Sequence, residues 1–207
     1  MLEIENLTFS FSEKELIQGL TLHVKKGERI ALLGPSGSGK TTLFKLITGL
    51  HPLQNGRILV DGIPLEKGQN QISYMMQEDL LLPWRTAIKN ALLPSEFSKA
   101  DLREEAEQIF AQVGLTGYEE YYPHELSIGM RQRVALTRAL LLKRPLLILD
   151  EPFSSVDYDR KQGLIKLVSE MVERYHLTLL FITHNPEEAK QLSDKVYQLK
   201  KGCLHVG

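Results

Sequence analysis

The chain has 207 residues, 43% hydrophobic and 25% charged, enough for one full domain with a large core or for a core domain carrying a smaller insert. A net charge of −1 argues against non-specific nucleic-acid binding, and a single cysteine, Cys203, excludes an internal disulfide and suits a reducing compartment. The acid-bearing start Met1-Leu2-Glu3-Ile4-Glu5-Asn6 does not read as a signal peptide, and no window of about 18–20 apolar residues offers a bilayer span. Work at a membrane would then need another chain to hold this one there.

Alternating apolar and polar residues predict strands around Leu2–Phe11 and Ile17–Val24. After a turn at Gly27-Glu28, the short apolar run Arg29–Leu33 predicts a buried strand. Lys40 to Leu50 predicts a helix with Leu43, Phe44, Leu46, Ile47 and Leu50 on one side. Arg57–Val60 is a further strand, closed by a turn at Asp61-Gly62, and Ile72–Met76 another. Ser98-Lys99-Ala100-Asp101 resembles a capping box opening a helix with Leu102, Ala106, Ile109, Phe110 and Val113 at helical spacing, ended by Gly114. A second helix runs from about Gly129 to Leu142. Residues 85–143 thus read as a helical insert, and 1–84 with 144–207 as the core around it. Beyond Pro145 come the apolar strand Leu146–Leu149, a helix Tyr158–Arg174, a strand Leu177–Thr183, a short helix from Pro186 and a hairpin around Val196–Val206. Strands alternating with helices predict an α/β fold with a mostly parallel sheet.

The stretch Gly34-Pro35-Ser36-Gly37-Ser38-Gly39-Lys40-Thr41 lies between a predicted strand and a predicted helix and meets the phosphate-loop pattern. Glycines let backbone N–H groups turn inward as an anion nest, and the following helix aims its positive end at the same point. Lys40 adds a point charge for the β- and γ-phosphates, and the Thr41 hydroxyl is a hard ligand for Mg²⁺. Thr42 belongs with the same nucleotide-binding set. The loop alone says that ATP or GTP is bound. The apolar strand ending in Asp150-Glu151-Pro152 supplies the second element: Asp150 to hold magnesium, directly or through water, and Glu151 to polarise an attacking water.

Together these residues resemble, from about residue 2 to residue 203, the ATP-binding subunit of an ABC transporter. The resemblance implies a P-loop NTPase core of the ABC ATPase type, with N-terminal antiparallel strands beside the parallel sheet. It also implies roles for single residues. Phe11 stands where the family keeps an aromatic that stacks on adenine, with Phe9 as its rival. Gln77, after the strand Ile72–Met76, matches the magnesium- and water-sensing glutamine. Leu126-Ser127-Ile128-Gly129-Met130 resembles the signature loop, usually Leu-Ser-Gly-Gly-Gln, and departs from it at Ile128 and Met130. Ser154-Ser155-Val156-Asp157 follows the acidic pair, with Asp157 on the nucleotide side. His184 would bond the γ-phosphate or orient Glu151, and Asn185-Pro186 after it make a good helix start.

The family places Ser127 and Gly129 against ATP bound by another subunit, so two chains would sandwich two nucleotides head to tail. The segment Gln77–Asn90 is apolar, holds the sole tryptophan, Trp84, and fits either a buried connector or part of a groove that receives a helix of a membrane permease. Its Leu82-Pro83-Trp84 string resembles ATPases of nitrate, sulfonate, taurine and pyrimidine-precursor importers, which also work with a solute-binding protein. The expectation is an ATP- and Mg²⁺-dependent ATPase on the cytoplasmic face of the plasma membrane, bound to a permease and not to nucleic acid. The alternatives are an exporter, lipoprotein-release or division-linked ATPase, and a soluble ABC ATPase acting on nucleic acid or ribosomes.

Overall fold

The computed structural model describes residues 1–12, 14–98 and 101–206. In chain order the elements are β1 (Leu2–Phe11), β2 (Lys14–Val24), β3 (Arg29–Leu33), α1 (Lys40–Ile47), β4 (Asn55–Val60), β5 (Ile63–Pro64) and α2 (Leu65–Gly68). Then follow β6 (Ile72–Met75), α3 (Ala87–Ala91), α4 (Leu93–Ser98), α5 (Arg103–Gln112), α6 (Ile128–Leu141) and β7 (Leu146–Asp150). The chain closes with α7 (Tyr158–Arg174), β8 (Thr178–Thr183), α8 (Pro186–Leu192), β9 (Lys195–Lys200) and β10 (Cys203–Val206).

Two sheets form. One is antiparallel, in the order β2-β1-β4-β5; the other runs β10-β9-β3-β8-β7-β6 and is parallel apart from the terminal β9–β10 hairpin. Buried Leu2, Ile4, Leu7 and Phe9 of β1 share one core with Leu43, Phe44, Leu46 and Ile47 of α1, which therefore lies between the sheets. The central parallel strands are covered on both faces, which is why β7 reads as an unbroken apolar run. The period of two splits it: Leu146 and Ile148 enter the α1 core, whereas Leu147 and Leu149 enter a second core with α3, α5, α6 and α7.

Parallel register decides where the functional loops emerge. Leu33 pairs with Thr183, Asp150 with Ile182, and Met75 with Leu149. The carboxyl ends of β3, β6, β7 and β8 therefore line up, and the loops after them share one edge, the usual ligand edge of open α/β sheets.

The structure corrects several sequence expectations. α1 stops at Ile47, because the Thr48 hydroxyl donates to the Phe44 carbonyl (2.9 Å) and Gly49 turns to φ +74°. Leu50 is outside the helix and exposed. The helix expected from Ser98 begins at Arg103, whose N–H donates to the Asp101 carboxylate at 3.2 Å; Lys99 and Ala100 of the expected box lie outside the described residues. Phe9 pairs with Ile17 but Ser10 pairs with Glu15, so Leu16 bulges from β2.

Candidate nucleotide site

The loop after β3 is shaped by close approaches. A side chain on Gly34 would meet the Ser38 hydroxyl at 2.6 Å and the Leu199 carbonyl at 2.7 Å, and Gly37 and Gly39 stand at φ +76° and +102°. Only glycine takes those angles without strain, so the N–H groups can curl toward one point ahead of α1. Lys40 is buried, and its Nζ donates to the carbonyls of Gly34 (2.8 Å) and Pro35 (3.1 Å) of its own loop.

Opposite that loop, β7 delivers Asp150 and Glu151. Asp150 is 1% exposed, and neither carboxylate oxygen has a hydrogen-bond partner. Burial, and secondarily the charge of Glu151, pushes its pKa up to about 6, against the pull of Lys40, Thr41 and Lys45. Leaving such a group unmatched costs about 1–3 kcal/mol or more. An oxygen-seeking cation resolves that cost, and the Asp150 carboxylate with the Thr41 hydroxyl forms a hard-oxygen pair of the kind Mg²⁺ takes while keeping several waters. The set fits Mg²⁺ with a nucleotide; among the described residues no cluster of three or more His, Cys, Asp or Glu offers an all-protein metal cage.

Glu151 itself is left-handed, at φ +51°, a conformation costing about 1–2 kcal/mol for a non-glycine residue. Its N–H donates to the Ile182 carbonyl (2.9 Å), and its own carbonyl accepts from Ser154 N–H (3.2 Å). This kink turns the carboxylate to His184, whose Nδ1 lies 2.8 Å from Oε2. An ionised carboxylate only accepts, so Nδ1 donates and Nε2 is left for another partner.

These groups line one cleft of about 580 Å³ with Leu16, Ser36, Gly37, Gly39, Lys40, Thr41, Thr42, Gln77, Asp150, Glu151, Ser154 and His184 on its walls. Pro35 and Ser38 line an adjoining hollow with Lys14 and Lys201. Leu16 was not expected at the site, and Ser154 was expected only as part of the loop that follows the acidic pair. Leu16 carries no motif; only the bulge in β2 brings it there. Phe11 is absent from the cleft wall. It is half exposed, edge-on to buried Phe9 at 4.9 Å and near His51 at 5.9 Å, which leaves Phe11 rather than Phe9 accessible to a ligand.

Ser127 and Gly129 lie elsewhere. They line a second cleft of about 320 Å³ with Ile128, Arg133, Ser155, Val156, Asp157 and Arg160. Ser127 caps α6, its hydroxyl accepting from Met130 N–H at 3.2 Å. Ile128, the first helical residue, is 60% exposed. A side chain on Gly129 would strike the Ser155 carbonyl at 2.5 Å, so this glycine is required for the α6 start to sit on the loop after Glu151. Gln132 is buried and clamps that loop, donating to the Ser154 hydroxyl (3.1 Å) and accepting from Ser155 N–H (3.2 Å). One four-residue loop thus touches both clefts, Ser154 facing the first and Ser155–Asp157 the second.

A strand–glycine loop–helix cradle facing a buried, unmatched aspartate defines a phosphate-loop nucleotide hydrolase. The family model described as ABC transporter matches residues 17–154. The formylaminopyrimidine import ATP-binding protein ThiZ of Halalkalibacterium halodurans is 41% identical over 99% of this chain and 82% of its own length. The aliphatic sulfonates import ATP-binding protein SsuB 2 of Agrobacterium fabrum is 37% identical over 97% of this chain and 76% of its own. Among solved structures, the dimeric bacterial ABC transporter cassette MJ0796 superposes with a TM-score of 0.90 at 26% identity, over 99% of this chain and 97% of that one. A post-hydrolysis dimer of the same cassette with ADP and Pi matches equally well, with a TM-score of 0.90. The chain belongs to the ABC transporter ATP-binding family. It is an ATP hydrolase that uses ATP with Mg²⁺.

Proposed function

We propose that this chain is the ATP-hydrolysing subunit of an importer, driving uptake of a small organic solute through a separate membrane permease fed by a solute-binding protein. The observation that carries the reading is the pair of half-sites: a nucleotide cleft with no signature residue in its wall, and a separate exposed signature cleft. Each becomes a full site only against a second copy, which fits the head-to-tail sandwich. The names of the import relatives support the direction of transport. The solute class follows the pyrimidine-precursor and sulfonate relatives.

In this reading the Gly34–Gly39 backbone and Lys40 hold the phosphates, with Ser36, Thr41 and Thr42 at the cleft wall. Phe11 packs on the adenine. Asp150, Thr41 and Gln77 would hold the magnesium, which would supply positive charge against that developing on the phosphate oxygens. Glu151, oriented by His184, accepts the proton of the attacking water. The Ser127 hydroxyl, Gly129 and the positive end of the partner's α6 face the γ-phosphate, with Asp157 alongside. Residues 85–143 act as a helical unit carrying the signature, and 1–84 with 144–207 as the nucleotide-binding core.

The permease docks near Gln77–Trp84. Leu80 and Trp84 are 51% and 70% exposed, large apolar side chains turned outward. The connector is therefore an outward-facing loop, and its rigidity has a visible cause. Asn90 is fully buried; its amide donates to the Leu82, Arg85 and Thr86 carbonyls (3.0–3.1 Å) and accepts from Leu82 N–H (2.7 Å). No helix among the described residues is long and apolar enough to cross a membrane, so the permease would hold the chain at the cytoplasmic face. Affinity purification of the tagged chain from detergent-solubilised membranes tests the reading. Recovery of a multi-span membrane protein whose transport of solute into vesicles needs ATP supports it; recovery of ribosomes or DNA, or of an exporting pump, rejects it.

A further inference from the structure

The loop that exposes Trp84 is tied to the signature helix by side chains that neither nucleotide chemistry nor docking accounts for. Asp79 lies 52 residues from Arg131, yet its carboxylate accepts from Arg131 Nε at 2.9 Å and from the Leu81 N–H at 3.2 Å. Arg131 also donates to the Leu126 carbonyl (3.1 Å), directly before Ser127. Two turns further along α6, Arg138 donates to the backbone carbonyls of Asp79 (2.8 Å) and Leu80 (3.1 Å). Leu80 is held there at φ +46°, an angle leucine rarely adopts. Burial pulls the Arg138 guanidinium below its ordinary pKa, and it is anchored on carbonyls rather than on a carboxylate. Asn90 fixes the other end of the loop, through Leu82 and Arg85.

The loop from Asp79 to Arg85 is thus bolted to the helix whose first turn carries Ser127, Ile128 and Gly129. An arginine fork bonded to two successive carbonyls fixes direction as well as distance. We propose that Arg131 and Arg138, acting through Asp79 and the Leu80 carbonyl, are positioning residues that make the Trp84 loop follow α6. Seating the signature on the second chain's nucleotide then moves the permease-facing loop as well. The inference rests on the sandwich reading above.

The chain carries its own reporter, because its single tryptophan is Trp84 and is largely exposed. The experiment uses the full chain with Glu151→Gln, which keeps ATP uncleaved. Trp84 emission and gel-filtration size are followed on adding MgATP, without and with Arg131→Met and Arg138→Met together. The expected result is an emission change on dimer formation that falls at least threefold in the double variant, while MgATP affinity and dimer size stay as in the parent. A full emission change in the double variant overturns the inference, as does a dimer whose Trp84 stays silent in the parent. A chain that remains monomeric with MgATP overturns the sandwich reading and this inference with it. Should the double variant fail to fold, Asp79→Ala replaces it. It releases Arg131 and the Leu81 N–H, and an undiminished response there also overturns the inference.

Discussion

In the phosphate-loop cleft Lys40, Asp150 and Glu151 are buried and Asp150 has no hydrogen-bond partner; in the signature cleft the polar groups are exposed or already bonded within the chain. Asp150 has two orphan oxygens, Ser38 in the adjoining hollow has an orphan hydroxyl, and Lys40 rests on backbone carbonyls. Beside the second cleft, Ser127 is satisfied by Met130 N–H, and Arg133 by the carbonyls of Gly129, Val113 and Gly114. The first cleft stores electrostatic cost that a nucleotide and its cation relieve. The second stores little, and offers a helix end and an exposed Ile128 to whatever closes on it. We read the first site as the one that holds the ligand and the second as the one that completes a partner's.

The largest expected effect breaks the first half of that contrast. Lys40→Ala removes the buried cation, and ATP affinity by calorimetry should fall by about two orders of magnitude or more; unchanged affinity would reject the loop assignment. Next, Ser127→Arg should lower steady-state ATPase activity by about 100-fold by blocking the helix end, with nucleotide binding to the isolated chain retained. Ile128→Gly should change the same rate by less than about 10-fold, because Ile128 already sits at helical φ without strain. The reverse order of these two variants would contradict the half-site account.

The smallest effect concerns pH. Asp150 titrates near 6 in the fold, above its ordinary 3.8, so the folded chain favours the protonated acid. Its contribution to stability is full below about pH 4 and is lost as pH rises through about 6, amounting at most to about 3 kcal/mol. Urea unfolding without Mg²⁺ should therefore show a decline between those values that Asp150→Asn lacks. Parallel profiles for the two chains would contradict the burial argument.

The parts of this contrast differ in how legible they were. Gly34–Thr41, Asp150-Glu151 and His184 could be placed from sequence because each directly follows an apolar strand, and parallel register then aligns the strand ends. Phe11 could not be separated from Phe9, since the two stand two residues apart on one strand and only burial in the folded chain, Phe9 closed off and Phe11 half exposed, tells them apart. Gln132, Arg131 and Arg138 looked like an ordinary continuation of a polar helix. Their partners, Ser154, Asp79 and Leu80, stand 22, 52 and 58 residues away, beyond the reach of any local pattern. Leu50 matched the helical period, but the Thr48-Gly49 stop overrode it.

The central claim is that each site is completed by a second copy of the chain. Light scattering of the Glu151→Gln chain with MgATP tests it most directly, alongside the same chain carrying Ser127→Arg. The account predicts an ATP-dependent dimer in the first and a monomer of undiminished ATP affinity in the second. A monomer in both, or a dimer that survives Ser127→Arg, would contradict it.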